Sequence, residues 1–525
     1  MKRRAFLKRT GQLAGVTAGL SARALAGSTG GEVESSSPHE QIVSSKTIEL
    51  SSEKQVFVDW WFVEAGYGLP FTLAEQKERS SRPVFMPHGV RLSVIPPIVQ
   101  PEPIIVPDTP ADGILVGAYS TLMMDGAKYR LWYQTFQSLE RAADMAVGYA
   151  ESEDAVHWTK PNLGLVEVNG SKQNNIVYRR EEGIDGPTVF KDPSAPAEER
   201  YKMIYCGQRL APDPTGLLPG GWVYGATSPD GLHWTRLPEP LVKHESDTQC
   251  VAVYDEELRR YVAYLRGWEP LTVHGSKRVV KRTESEDFRR FPNPQLVLAP
   301  GPDDPPDMDI YTNAYQRWPG AARAHLLRPA FYHRASDTVD VHLAVSRDGI
   351  RWSRPSRDPL IAVGLEGSGF EGQVYAGVGI VPLGRGVWAF PIWRSYLTHN
   401  MVDRTYFRKP REGSLWLATL REDGFMALEA ETQGECWTQV VSFRGSRLLV
   451  NSWARTGGRL RIELTTPDGQ PIPGFALEDC DGIQGDALWA PVRWKGESDV
   501  STLAGKPLRI RTWLARCRLH TFRFA

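Results

Sequence analysis

Four acidic residues recur at a constant interval along this chain. Asp185 opens DGPTVFKD, Asp247 opens DTQCVAVYD, Asp309 opens DIYTNAYQR and Glu371 opens EGQVYAGVG, each 62 residues after the one before. Every one stands in front of a β-like run, so a repeating fold would carry the four carboxylates to equivalent places. Crowded carboxylates push some of their pKa values up and leave others charged, and proton transfer in acid/base catalysis depends on that inequality. The alternative is that each caps the turn by which the chain enters a strand.

The elements that must position them are legible as repeats. SPDGLHW (Ser228 to Trp234) and SRDGIRW (Ser346 to Trp352) are near copies, with degenerate forms at SEDAVHW (Ser152 to Trp158) and SEDFRRF (Ser285 to Phe291). Asp-Gly between alternating apolar runs predicts a tight hairpin, because both turn residues tolerate unusual backbone angles. A second strand pair precedes each copy, with returning strands KYRLWY, RYKMIYCG, RYVAYLRG, AHLLRPAFYH and VWAFPIW. Two hairpins per unit, repeated near 60 residues, predict an all-β chain with a five-bladed β-propeller over 47–428. QVFVDWWFV (Gln55 to Val63) is the strand expected to close the ring. Beyond Glu429 the repeat stops, and alternating strands predict a C-terminal antiparallel β-sandwich over 429–525. A sandwich throughout is the alternative fold.

In a propeller the first-strand starts and second-strand ends share one face, while the Asp-Gly turns occupy the other. The heptapeptides are therefore read as shape, and chemistry is expected at the opposite face. Around the carboxylates Asp185, Asp247, Asp309 and Glu371, that face would present Gln134, Arg209, Gln249, Arg266, Trp268, Tyr311, Gln373, Trp393, Arg394 and His399. Aromatic faces stack on C–H surfaces while amides and guanidinium groups bond hydroxyls, which suits a carbohydrate partner.

The rest of the sequence sets bounds. The first 26 residues, with Arg3-Arg4 before Phe6-Leu7-Lys8 and a closing Ala24-Leu25-Ala26, predict a twin-arginine signal peptide. A linker follows over 27–46, and the location is expected to be periplasmic or secreted. Sixty-two basic side chains balance 62 acidic ones, which argues against nucleic acid as a partner. No other apolar run is long enough to span a bilayer. Five cysteines are too few and scattered for a disulfide framework. No cofactor fingerprint is present, and no metal is expected: Asp479, Asp481 and Asp486 share a Gly-containing loop without EF-hand spacing.

VFVDWWFVE, VFKDPSAPAEERYKMIY, SDTQCVAVYD, DTVDVHLAVSRDGIRW and PIPGFALEDCDGIQGD carry a resemblance to the glycoside hydrolase clan of families 32, 43 and 130. It lies closest to exported family-32-like bacterial proteins. The resemblance implies five blades with a C-terminal sandwich, and carboxylates of the first three blades acting as nucleophile or base, modulator and general acid. Here Gly117 stands at the first-blade position, and Asp247 stands where the clan has Glu. Lys191-Asp192-Pro193 matches a family-32 triplet, yet its register places Asp192 at a strand end, as a turn. The expectation is a hydrolase in which Glu371 or Asp247 donates a proton and Asp185 or Asp309 serves as base or nucleophile. A non-catalytic carbohydrate-binding or scaffold propeller is the alternative.

Overall fold

The computed structural model describes residues 47–64, 85–138, 142–208, 221–272, 275–400 and 413–525, and Thr47–Ala525 form one compact unit. The expected signal peptide, the linker and Arg209 lie outside the described residues. Among those described there is no α-helix, so this part of the chain is all-β, and it contains no helix long and apolar enough to cross a membrane.

Successive antiparallel sheets follow the sequence repeat. The first runs through Leu115–Asp125, Lys128–Phe136, Met145–Ser152 and Ile176–Arg179 in that order. The second runs through Asp185–Lys191, Tyr201–Gln208, Gly221–Ser228 and Thr235–Arg236, and Val242–Ser246 also pairs with Gly221–Ser228. The third comprises Val251–Asp255, Arg260–Thr272, Gly275–Ser285 and Gln295–Leu298. The fourth unit is split: Met308–Ile310 pairs with Ala330–His333, while Gln316–Arg317 pairs with His325–Leu327. A single parallel bridge, Val339 to Gln373, joins it to the fifth unit, built on Gln373–Ala376, Val387–Ser395 and Ser414–Arg421.

The inner strands bond from unit to unit in a circuit. Val189 N donates to Thr121 Oγ1 at 3.1 Å, and Thr188 Oγ1 to Cys250 O at 2.5 Å. Asn313 Nδ2 donates to Gln249 O at 3.2 Å, and Arg328 Nη2 to Gly377 O at 3.1 Å. Val378 N donates to Ser120 O at 2.8 Å, returning to the first sheet.

The strand that pairs with Ser414–Arg421 at the outer edge is Ile98–Ile105, which corrects the expected Gln55–Val63. Its sequence, IVQPEPII, carries two prolines; lacking N–H groups, these suit an edge strand that bonds on one side only. Gln55–Val56 instead pairs with Phe522 and Thr521 in a six-stranded sheet that includes Arg91–Val94, Met426–Trp437, Arg509–Phe524, Leu448–Thr465 and Asp486–Pro491. Phe57, Phe62, Phe443, Leu460, Leu514 and Phe522 pack into its core. Met426–Trp437 runs across the expected boundary at residue 428.

The heptapeptides form turns with one shared bonding pattern. Ser228 Oγ accepts from Gly231 N at 2.8 Å, Asp230 Oδ1 accepts from Leu232 N and His233 N at 2.8 and 2.9 Å, and Gly231 adopts φ +78°. Ser346, Asp348 and Gly349 repeat it. Each glycine carbonyl also receives an aromatic donor from the preceding sheet: Trp132 Nε1 reaches Gly231 O at 2.7 Å, and Tyr264 OH reaches Gly349 O at 2.7 Å. The turns thus lock neighbouring sheets together.

Candidate functional site

A cavity of about 240 Å³ opens where first-strand starts and second-strand ends meet. Its wall includes Tyr119, Gln134, Asp185, Asp247, Tyr311, Gln373, Tyr375, Trp393 and His399. Seven of the expected residues are therefore brought together there: Asp185, Asp247, Gln134, Tyr311, Gln373, Trp393 and His399.

Asp185 opens the first strand of the second sheet, and the positive φ of Gly186 (+60°) turns the chain tightly beneath it. A side chain at 186 would put Cβ 2.1 Å from Thr248 O, so only glycine lets the two sheets close at this point. Asp185 Oδ1 accepts from Gln134 Nε2 at 3.2 Å, and Gln134 also donates to Ile184 O at 2.9 Å. Burial outweighs this amide and the more distant Arg266 charge, and pushes the Asp185 carboxyl up to about 6. Asp247 stands in a different environment. Its side chain is about half exposed (53%) and ion-pairs with the buried guanidinium of Arg266, which lies 5.4 Å from the Trp268 ring centre and 5.2 Å from that of Tyr311.

Aromatic rings line the cavity in a chain of edge contacts. Tyr119 and Tyr375 meet at 6.2 Å, Tyr311 and Tyr375 at 6.1 Å, and Tyr375 and Trp393 at 5.8 Å. Their polar ends are largely committed inside the protein: Trp393 Nε1 donates to Val116 O at 2.8 Å, and the hydroxyls of Tyr119 and Thr248 bond at 2.7 Å. His399 packs 4.7 Å from both Tyr311 and Tyr332, and burial lowers its imidazole to about 4, so it is neutral at ordinary pH. Gln373 donates to Leu397 O at 2.8 Å and accepts from Tyr375 OH at 3.1 Å, so it holds the wall in place.

Of the other expected residues that are described, Asp309, Glu371, Gln249, Arg266, Trp268 and Arg394 lie outside this wall. Asp309 is fully buried and its carboxylate is saturated: Arg278 Nη1 and Arg334 Nε each donate to Oδ2 at 2.8 Å, and Arg334 Nη2 to Oδ1 at 2.9 Å. Pairing of Met308–Ile310 with Phe331–His333 carries Asp309 outward, and Tyr311 takes the place facing the cavity. Glu371 precedes Gln373 outside the cavity wall. Gln249 is consumed by Ala376 O and Ala314 N, at 3.1 and 2.7 Å. The Arg394 guanidinium stacks 3.5 Å from the Phe370 ring centre. Trp268 is 36% exposed beside Arg266 and Arg278. Asp192 follows the end of its strand at Lys191, accepting from Tyr261 OH and Ser194 Oγ, both at 2.7 Å.

Tyr119 and Tyr375 join the wall without a chemical signal in the sequence, where an aromatic in an inner strand reads as core. Their one signal is proximity: each lies within a few residues of a first-strand start.

His333, Asp340 and His342 also bring ligand-type atoms within 4.8 Å of one another. Arg354 Nη2 lies 3.1 Å from His342 Nδ1 and can only donate to it, which leaves the proton of a neutral imidazole on Nε2, facing Asp340. That tautomer opposes a metal at Nε2, and the cluster fits an ion-paired network.

No family model matches the chain. An uncharacterised protein of Mycobacterium tuberculosis is 28% identical over 123 residues, which is 23% of this chain and 34% of that protein; the chain thus spans about a third of the curated relative it matches. Among solved structures, similarity extends to a glycosyl hydrolase from Bacteroides ovatus (13% identity, 71% of this chain, 97% of that one, TM-score 0.39). A family-32 β-fructofuranosidase of Bombyx mori is similar at 10% identity over 84% of this chain and 94% of its own, with TM-score 0.41. A structure described for the family-130 mannoside phosphorylases and hydrolases is 14% identical over 70% of this chain and 97% of its own, with TM-score 0.39.

Proposed function

We propose that the protein is an exported glycoside hydrolase-like enzyme whose cavity holds one sugar unit of an oligo- or polysaccharide. The reading includes a five-bladed propeller, supported by the circuit of bonds between inner strands, followed by a C-terminal sandwich. The observation that carries it is the pair of unlike carboxylates on one aromatic-lined wall. Asp185 keeps its proton to about pH 6 because burial disfavours its charge, while Asp247 is matched by Arg266. Two carboxyl groups with separate environments divide the labour of glycosidic cleavage: the protonated one donates to the leaving oxygen and the charged one serves the anomeric carbon or an attacking water. Asp185 is accordingly the acid and Asp247 its partner, a different assignment from the one expected from the sequence. Tyr311, Tyr375 and Trp393 supply the apolar faces against which a ring packs.

Sugar released from a panel of polysaccharides and aryl glycosides tests this. Turnover by the wild type that disappears in Asp185→Asn and in Asp247→Asn supports the enzyme. A second reading, a carbohydrate-binding module, is favoured by Gly117 at the first-sheet position and by the Arg266 grip on Asp247; binding without turnover in all three proteins would establish it.

A further inference from the structure

Cys206, in strand Tyr201–Gln208, and Cys250, just before strand Val251–Asp255, belong to neighbouring sheets, and their sulfurs lie 2.9 Å apart. That is well inside ordinary contact for two sulfur atoms, and a further approach of about 0.9 Å reaches the disulfide bond length of roughly 2.05 Å. Their backbone surroundings fix the approach. Cys206 Sγ donates to Thr248 O at 3.3 Å, Cys250 N to Gly186 O at 3.2 Å, and Thr188 Oγ1 to Cys250 O at 2.5 Å. Both residues are buried, and so are Cys436, Cys480 and Cys517, which sit together with the core of the six-stranded sheet.

We propose that Cys206 and Cys250 form a disulfide when the chain folds in oxidising surroundings, stapling the second sheet to the third beneath the cavity. Cys206 is the register partner of Asp185, so the staple would fix the strand pair that presents this carboxyl. With a glutathione disulfide as oxidant, one cysteine thiolate attacks and displaces a glutathione thiolate. The second cysteine then displaces the other glutathione, so two thiols lose two electrons and two protons while one glutathione disulfide becomes two thiols. Burial raises the Cys250 thiol, and both sulfurs are buried in the folded chain, so exchange belongs to folding, before the sheets close. The bond would close a loop with a sequence separation of 44 residues, long enough to restrict the unfolded chain substantially.

The test is to unfold the full chain and refold it either with oxidised and reduced glutathione or with reductant alone. Denaturation, alkylation and peptide mass mapping then follow. The expected result is a Cys206–Cys250 cross-linked peptide with three alkylated cysteines in the oxidised sample, a Tm several degrees above that of the reduced sample, and four alkylated cysteines in Cys206→Ala treated identically. Five alkylated cysteines in the oxidised wild type, or a bond joining any other pair, would overturn the proposal. The mass map of the wild type decides even if the variant does not fold, and it is independent of whether the cavity cleaves sugars.

Discussion

Asp185 and Asp309 each lie at the start of the first strand of a sheet, two repeats apart, and the protein treats them in opposite ways. Asp309 meets two guanidinium groups and the backbone N–H of Arg278, has no exposed surface, and spends its charge holding the third sheet to the fourth. Asp185 meets one carboxamide, faces a cavity, and is pushed toward its neutral form. The difference teaches that equal spacing delivers a carboxylate to a place, while its neighbours decide between mortar and chemistry. Around Asp185 the Arg266 charge acts only from a greater distance, and Gln134 supplies a dipole without charge.

That contrast can be broken at either end. Replacing Asp185 by Asn should lower turnover by about 10²- to 10⁴-fold, the usual worth of a positioned proton donor, with the fold intact by circular dichroism. Replacing Asp309 by Ala should do the reverse, costing about 3 kcal/mol in denaturant unfolding because two guanidinium groups lose their partner. A smaller loss, about 2 kcal/mol, is expected for Gly186→Ala, whose Cβ would meet the Thr248 carbonyl at a positive φ. The mildest is Ser228→Ala at the far turns: about 1 kcal/mol in the same unfolding assay and unchanged turnover, since it removes only turn bonds. The pH dependence sharpens the contrast further. Because the folded pKa of Asp185 lies above its unfolded value, its contribution to stability declines as pH rises from about 4 through 6, and Asp185→Asn should abolish that decline in urea titrations across the same range.

The hairpins are legible in the sequence because Asp-Gly turns act locally: Ser228 and Asp230 accept from backbone N–H groups of their own heptapeptide. The cavity wall is half legible for the same reason, since strand starts can be counted from turns. What sequence periodicity does not convey is register inside a broken strand. In the fourth unit the chain leaves regular pairing between Ile310 and Gln316, and this moves Asp309 away from the wall and Tyr311 onto it. The closing strand is hidden because Pro101 and Pro103 disguise Ile98–Ile105 as a loop. Arg278 is invisible as a partner because it is a sheet-strand residue 31 positions from Asp309, with no local signal linking the two.

The proton of Asp185 is the point on which the enzymatic reading turns. Carboxyl-carbon NMR of aspartate-labelled protein, with the Asp185→Asn spectrum identifying the resonance, would follow its titration directly. A midpoint near 6 is predicted; a midpoint at or below about 4, the range of an ordinary exposed aspartate, would contradict the assignment of Asp185 as the acid of this cavity.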